Sequence, residues 1–340
     1  MQPGATVAGA GALGLSCAIA LADAGFEVTV CDPAPNGPNA SSVAGGMLAP
    51  VFEAVLDAEA RPHFDLLLAA RDLWPAMEAR TGVRVDRSGA LAAGRRDWLH
   101  LVSLGLGRLG LHATEIPRAA ADALAPGLST AAAGAVLNRE DWRLDPLAAL
   151  ASLRAAAAAA GVGFRAEAAR PRRGDLLVIA AGAASQLEGF APELGAITPI
   201  KGHILRLATA SRPAVTVRGE EAYVTPADGA LAVGATMEPG VTDPRPDPAK
   251  AAPLLAAGAR LFPALAGAAS ELQAGVRAAT SDGLPLVGFS HAPGVLLATG
   301  ARRNGWLLAP LIARTAAALA TGRDPGPFAA RLAPGRFAAL

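Results

Sequence analysis

The sequence predicts an α/β fold, and two observations at its ends carry that prediction. At the amino end, TVAGAGALGLSCAIALADAGFEVTVCD reads as strand, glycine-rich turn, helix and second strand in immediate succession. At the carboxyl end, GVLLAT reads as a buried strand and LIARTAAALATG as a helix, with GARRNGWLLAP at the joint. Short apolar strands that feed helices of 3.6-residue period are the pattern of an α/β chain.

Thr6 to Ala8 is the first strand, and Gly9, Gly11 and Gly14 form G-x-G-x-x-G. Apolar residues recur at helical spacing through Leu15, Ile19 and Leu21 until Gly25, and FEVTVCD closes on Asp32. Each part has a mechanical task. Gly9 permits a tight turn, Gly11 lets the backbone approach a pyrophosphate, and Gly14 lets helix and strand pack closely. Phosphates would face the free N–H groups of the first helical turn, around Ala12 and Leu13, at the positive helix end. Asp32 can accept hydrogen bonds from ribose hydroxyls. A dinucleotide site is expected, and this unit does not separate NAD from FAD.

NASSVAGGMLAP follows, Asn39 to Pro50. Ser41, Ser42, Gly45, Gly46 and Met47 suit a loop whose backbone passes close to a flat ligand before a helix. The residues equally allow a plain linker with a helix cap at Ser41 or Ser42. DWRLDPLAALASLRAAAAAAGVGF then reads as helix and strand, and GDLLVIAAGAAS as a buried strand ending at Gly182. IKGHILRL, AYVTP and GALAVGAT read as strands of imperfect alternation. EPGVTDPRPDPAK is a proline-rich surface loop.

The 340 residues allow two domains and a large core. Hydrophobic residues make up 52%, but no charge-free run reaches the roughly 18 residues of a membrane span. No positively charged leader precedes the first strand, so a cytoplasmic chain without membrane contact is expected. With a net charge of +1 and no basic run, no nucleic-acid surface is expected. Cys17 and Cys31, the two cysteines, read as small core residues rather than a disulfide framework. The five histidines, His63, His100, His112, His203 and His291, stand neither at metal spacing nor beside a serine nucleophile, so no metal is expected. His203 reads as a satisfied strand residue.

VAGAGALGLSCAIALADAG, ASSVAGGMLAP, DGLPLVG and RRNGWLLAP, in that order, resemble the D-amino-acid oxidase family of FAD-dependent oxidoreductases. Within that family the likeness is greatest to the glycine-oxidase branch of thiamine biosynthesis. The resemblance runs from about Thr6 to Leu319 and weakens between Pro62 and Leu137. It implies a doubly wound, Rossmann-like FAD-binding domain from residues 1–46, 138–188 and 277–340. Interleaved with it would be a mixed-sheet α+β substrate domain from 47–137 and 189–276. It also implies non-covalent FAD, with Gly300, Arg303, Asn304, Gly305, Trp306 and Leu307 joining the amino-terminal residues around the cofactor.

In this family an arginine and a tyrosine grip an amino acid carboxylate against the flavin. The resemblance of AGVRAATSDGLPLVG assigns that clamp to Arg277, and the run ending R-N-G places a second arginine at Arg303. The Y-x-x-P strand gives Tyr223, the only tyrosine, and G-A-T-M gives Met237 as an apolar wall. Guanidinium offers two parallel donors at the spacing of carboxylate oxygens, which lysine cannot. Where the family commonly has His and an aromatic before the R-N-G arginine, this chain has Ala301 and Arg302. Arg302 is expected either to turn to solvent or to favour a substrate with a second acid group.

The resemblance implies oxidative deamination of a small amino acid or amine without a protein base. Hydride would pass from the α-carbon to the flavin, water would hydrolyse the imine, and dioxygen would reoxidise the flavin to give hydrogen peroxide. A helix starting within Asn304 to Leu308 would aim its N–H groups at the ring end where charge develops. A dehydrogenase of the same family, the oxidase domain of a tRNA-wobble-modifying enzyme and a catalytically silent flavin-binding protein are the rival readings. Homo-oligomerisation is left open.

Overall fold

The computed structural model describes residues 2–337 except 36, 38, 172–173, 184, 210–211 and 228. β1 (Gly4–Ala8) leads through Gly9 into α1 (Ala12–Asp23), and β2 (Glu27–Cys31) returns parallel to β1. The chain then leaves this sheet through α2 (Ala40–Val43), β3 (Met47–Leu48), α3 (Pro50–Leu56), α4 (Phe64–Arg71) and α5 (Trp74–Thr81). β4 (Ala90–Gly94), α6 (Arg96–Arg108), β5 (Thr114–Ile116), α7 (Arg118–Leu124) and β6 (Gly134–Asn138) begin a second sheet. β7 (Trp142–Arg143) pairs with β3, and α8 (Pro146–Ala159), β8 (Gly163–Arg165) and β9 (Leu176–Ile179) return to the first. The second sheet gains β10 (Thr198–Leu207), β11 (Thr216–Arg218), β12 (Tyr223–Ala227), β13 (Ala230–Gly234) and β14 (Glu238–Pro239). After α9 (Ala251–Leu261) it also gains β15 (Ser270–Ala279). β16 (Leu286–Phe289), β17 (Val295–Thr299), α10 (Gly305–Ala320) and α11 (Ala329–Leu332) complete the first sheet and its cover.

Among the described residues the first sheet has the order β16-β17-β9-β1-β2-β8, parallel except where β16 meets β17. Successive strand residues face opposite sides. Val7, Val30, Val178 and Leu296 join the core built with α1, α8 and α10, while Ala8, Cys31, Leu177 and Leu297 pack with Leu187, Ala191 and Leu194. A parallel sheet covered on both faces is the doubly wound arrangement.

The second sheet is mixed, in the order β14-β10-β13-β12-β11-β4-β6-β5, with β15 along β10. Leu205, Val224 and Val233 on one face bury against Leu254, Ala257 and Leu261 of α9. The opposite face carries Ile204, Tyr223 and Ala232 and meets Val43 of α2. Val51, Phe52 and Val55 of α3 cover the part of the sheet near β4.

Two features bear on the partition read from the sequence. Residues 47–137 do not all serve the second sheet: Leu66, Leu67, Ala70 and Trp74, from α4 and α5, pack into the core of the first. The apolar face of a helix says that it is buried, not against which sheet. The break before 277 falls inside β15, whose pairing with β10 continues to Ala279. That strand end is stitched to the turn after β17 by a bridge between Ala279 and Ala301 and by Arg302 N–H donating to the Ala278 carbonyl at 2.7 Å. No described helix is long and apolar enough to cross a membrane.

Candidate active site

Backbone demands build the amino-terminal turn. Gly9 has φ of 107°, and a Cβ there would lie 2.7 Å from the Ala180 carbonyl oxygen; only glycine meets both conditions. A Cβ on Gly14 would overlap the Gly9 carbonyl, so α1 lies as close to the turn as the sequence pattern requires. Gly11 caps α1 and faces Ser41, whose Oγ accepts the Ala12 N–H at 3.0 Å. The Leu13 and Gly14 amides have no intrahelical acceptors at this positive end. Asp32 is held in place: Oδ2 accepts Ala10 N–H at 2.8 Å and Oδ1 accepts Ala34 N–H at 2.9 Å. Its remaining lone pairs are those a ribose could use.

ASSV forms a short helix, but Asn39 caps it, not Ser41 or Ser42. Asn39 Oδ1 accepts the N–H groups of both serines at 3.0 Å, and Ser42 Oγ completes a capping box with the Asn39 backbone. Ser42 is thereby engaged locally, while Ser41 reaches α1. Gly45 lies under the Tyr223 phenol, and the Gly46 carbonyl accepts from Leu144 N–H at 2.9 Å. Just past β9, the Gly182 carbonyl accepts from Thr299 Oγ1 at 3.1 Å.

The joint after β17 turns through two left-handed residues, Gly300 at φ 82° and Arg302 at φ 49°. Asn304 precedes α10 without a side-chain cap bond, so the Gly305, Trp306 and Leu307 amides open the helix unpaired within it. Trp306 Nε1 donates to the Ser41 carbonyl at 3.0 Å, and the Leu307 side chain lies in the core. Leu307 can therefore serve a ligand only through its backbone. Arg302 corrects both expectations. It faces neither solvent nor cavity, but pairs with Asp57 and, at 3.0 Å, with Glu59.

A cavity of about 310 Å³ lies between the inner face of the second sheet, α2, α3 and the 303–306 turn. Arg277, Arg303, Tyr223 and Met237 all line it, as do Met47, Asn304 and Trp306. Arg277 rises from β15 against Gly202, where any Cβ would overlap its guanidinium. Its contacts are poor: Nη1 reaches the Thr236 carbonyl at 3.4 Å and Met237 Sδ at 3.5 Å, and among the described residues it joins no ion pair. Burial holds its pKa below the usual guanidinium value, with the nearby charges of Arg303 and Arg302 adding to the effect.

Tyr223 belongs to a cross-strand row of Ile204, Gly234, Tyr223 and Arg218. A Cβ on Gly234 would come within 2.5 Å of the phenol oxygen, so glycine makes the slot. Burial raises the Tyr223 pKa despite the surrounding arginines, and the phenol stays a donor. Arg303 Nε lies 3.1 Å from Glu53 Oε1, and its Nη1 donates to Asp57 Oδ2 at 3.2 Å. The Glu53 charge, opposed by burial, raises its pKa.

Sequence reasoning misses Glu53, Asp57, Arg218 and Asp141. Arg218 donates to Met47 Sδ at 3.1 Å and to Glu53 Oε2 at 3.4 Å. The buried Asp141 carboxylate accepts the Val51 and Phe52 N–H groups at 2.8 and 2.9 Å, so it fixes the start of α3, which carries Glu53. Desolvation lifts the Asp141 pKa to about 6, against the pull of those two bonds. One signal existed: a lone acid inside the apolar run PVFEAVL. His203 is satisfied, accepting Asp247 N–H at Nε2 and pairing through Nδ1 with Glu238, both at 2.9 Å.

A family model described as FAD dependent oxidoreductase, abbreviated DAO, matches residues 5–319. The chain belongs to this family. A bifunctional ThiO/ThiG protein of Trichormus variabilis is 30% identical over 90% of this chain and 51% of its own length. The chain thus spans about half the length of such relatives. A Rhizobium etli protein bearing the ThiO name is 34% identical over 90% of this chain and 93% of itself. Glycine oxidase from Geobacillus kaustophilus superposes with a TM-score of 0.83 at 26% identity, covering 98% of this chain and 99% of that one.

The cofactor of the DAO family is FAD, and the residues present fit it. The tight turn that Gly9 and Gly14 permit, the open amides of α1 and the anchored Asp32 suit a nucleotide, and the open amides of α10 border the cavity.

Proposed function

We propose that this chain oxidises the carbon–nitrogen bond of a small amino acid or amine, with FAD held non-covalently. Arg277 carries the reading, as a half-buried guanidinium that joins no ion pair among the described residues and stands with the Tyr223 phenol on the wall of one cavity. Its two donors would take the substrate carboxylate, with Tyr223 donating a further bond. That grip fixes the α-carbon in position, which is where most of the protein's contribution would lie. When bound, the flavin supplies the hydride acceptor. Arg303 and the first amides of α10 would supply positive potential beside it. Cys17 is unsuited to flavin attachment, since burial pushes its thiol up to about 12.

Dioxygen as acceptor, hydrogen peroxide as product and a step toward the thiamine thiazole belong to this proposal, supported by likeness to proteins named ThiO and glycine oxidase; a cytoplasmic location is proposed with them. The test gives the flavin-loaded protein glycine, N-methylglycine, D-alanine and larger amines, with peroxide detection in one arm and an electron-accepting dye in the other. Peroxide from a small amino acid is the expected result. Dye reduction without peroxide would make the protein a dehydrogenase, and no reduction in either arm would refute the oxidation.

A further inference from the structure

We infer that Arg218 forms a second anion subsite in the same cavity, across Tyr223 from Arg277, and that the substrate is an amino acid bearing a second acidic group. The inference rests on the amine-oxidation reading and goes beyond it in naming the substrate class. Arg218 lines the cavity from β11 and is the direct cross-strand neighbour of Tyr223. Its side chain is only 6% exposed, so its donors depend on partners within the protein. Those partners are poor. Nη1 rests on the Met47 thioether at 3.1 Å, a weak acceptor, and Nη2 lies 3.4 Å from Glu53, long for a charged pair. Glu53 is moreover shared, its other oxygen lying 3.1 Å from Arg303.

Arg277 repeats the pattern, with a methionine sulfur at 3.5 Å and one long bond to a carbonyl. Two guanidinia, Arg218 buried and Arg277 half-buried, each resting on a thioether, therefore flank one tyrosine. Buried cations short of acceptors are destabilising until an anion arrives. The neighbouring arginines are provided for. Arg302 and Arg303 share Asp57, and Arg206 donates to the Ser42, Val43 and Ala44 carbonyls. Among the described residues that line the cavity, the arginines on either side of Tyr223 are the two that rest on a sulfur and on one long bond to oxygen. The cavity continues past Arg218 to Trp98 and Glu220, which leaves room for a chain longer than glycine. Glu220 does not repel such a ligand at full strength, because Arg95 binds its carboxylate.

Carboxylates that cannot be oxidised test the subsite on the oxidised flavoprotein, read by the shift of the flavin visible spectrum. Succinate and glutarate are compared with propionate. The better dicarboxylate should bind at least about tenfold more tightly, as one added charged hydrogen bond implies. Arg218→Met should bring that ratio close to one, and Arg218→Lys, which keeps the charge and loses the fork, should retain part of it. Equal binding of mono- and dicarboxylates by the unaltered protein overturns the subsite. So does an Arg218→Met ratio as large as that of the unaltered protein. If Arg218→Met does not fold, Arg218→Lys carries the same comparison. No turnover is read, so the two readings fail separately. A dicarboxylate preference without oxidation of any amine keeps the subsite and removes the oxidase. Oxidation of glycine without that preference removes the subsite.

Discussion

Replacing Arg277 by methionine should move stability and activity in opposite directions. In the ligand-free protein the guanidinium has lost water and gained little, since its contacts are a carbonyl at 3.4 Å and a sulfur at 3.5 Å. Replacing a buried ion pair by apolar side chains of similar volume is often neutral or stabilising by about 1–4 kcal/mol, and a desolvated charge without a paired acid has still less to lose. The lower part of that range applies here, because the cavity gives Arg277 some solvent. The expected gain is about 1 kcal/mol, or on the order of 2 °C in the melting temperature for a chain of this size. Function should collapse. Two charge-assisted bonds to a carboxylate, at roughly 1.5–3 kcal/mol each, put the loss in kcat/KM at about a hundredfold or more.

The assay is a thermal melt of the flavin-loaded protein with and without propionate. In the unaltered protein, propionate at about 100 times its Kd should add roughly 2.7 kcal/mol; in Arg277→Met it should add almost nothing. A variant that melts lower without ligand, yet keeps its response to propionate, would make Arg277 a structural anchor. The carboxylate clamp would then have to lie elsewhere.

Three further outcomes are expected. Gly234→Ala brings a methyl within 2.5 Å of the Tyr223 oxygen, so kcat/KM should fall about tenfold or more at unchanged flavin content, as for a lost hydrogen bond; full activity would mean that the phenol is not used. Asp57→Asn leaves two largely buried arginines short of charge and should destabilise by about 3 kcal/mol in urea titrations. Burial raises the Asp57 pKa, but Arg302 and Arg303 outweigh it and hold the value below the usual 3.8. That stability is thus complete above the unfolded pKa and lost as pH falls through the lower folded one, so the gap between variant and unaltered protein should close in acid. Asp141 has the opposite sign: its folded pKa of about 6 lies above the usual 3.8, so its stabilising effect is complete below the unfolded value and declines as pH rises to about 6. Asp141→Asn does not titrate, and each pH unit between folded and unfolded pKa is worth about 1.4 kcal/mol. The variant should therefore gain roughly 3 kcal/mol relative to the unaltered protein between about pH 4 and about pH 7; a flat difference in urea midpoints would contradict the raised value.

What can be read from the sequence is whatever the backbone itself demands. Gly9 and Gly14 are glycines because a side chain would collide, so the first turn shows in the letters alone. Arg277, Tyr223 and Met237 become candidates through family likeness, since nothing local distinguishes a strand arginine over a cavity from one in water. Glu53 and Arg218 stay hidden because each makes sense only beside the other, and they lie 165 positions apart. Arg302 and Asp57 lie 245 apart. The cap at Asn39 escapes for a smaller reason: all three polar residues there are good caps, and geometry chose the first.

The two arginines at the joint between strand and helix turn out to have different tasks. Arg302 sits in the left-handed region, which costs a side-chain-bearing residue roughly 1–2 kcal/mol. Asp57 and Glu59 hold it there, and its N–H is tied to the Ala278 carbonyl, one residue beyond the clamp. Arg302 thus fastens the end of α3 to the point where β15 meets the first sheet. With that point fixed, Arg303 is turned to the cavity and balanced by Glu53 and Asp57. The acids of this segment neutralise the arginines of the turn. Among the described residues of the cavity, the charge left without an ion pair is that of Arg277, with Arg218 held by one long contact to the shared Glu53, and a carboxylate would bind there.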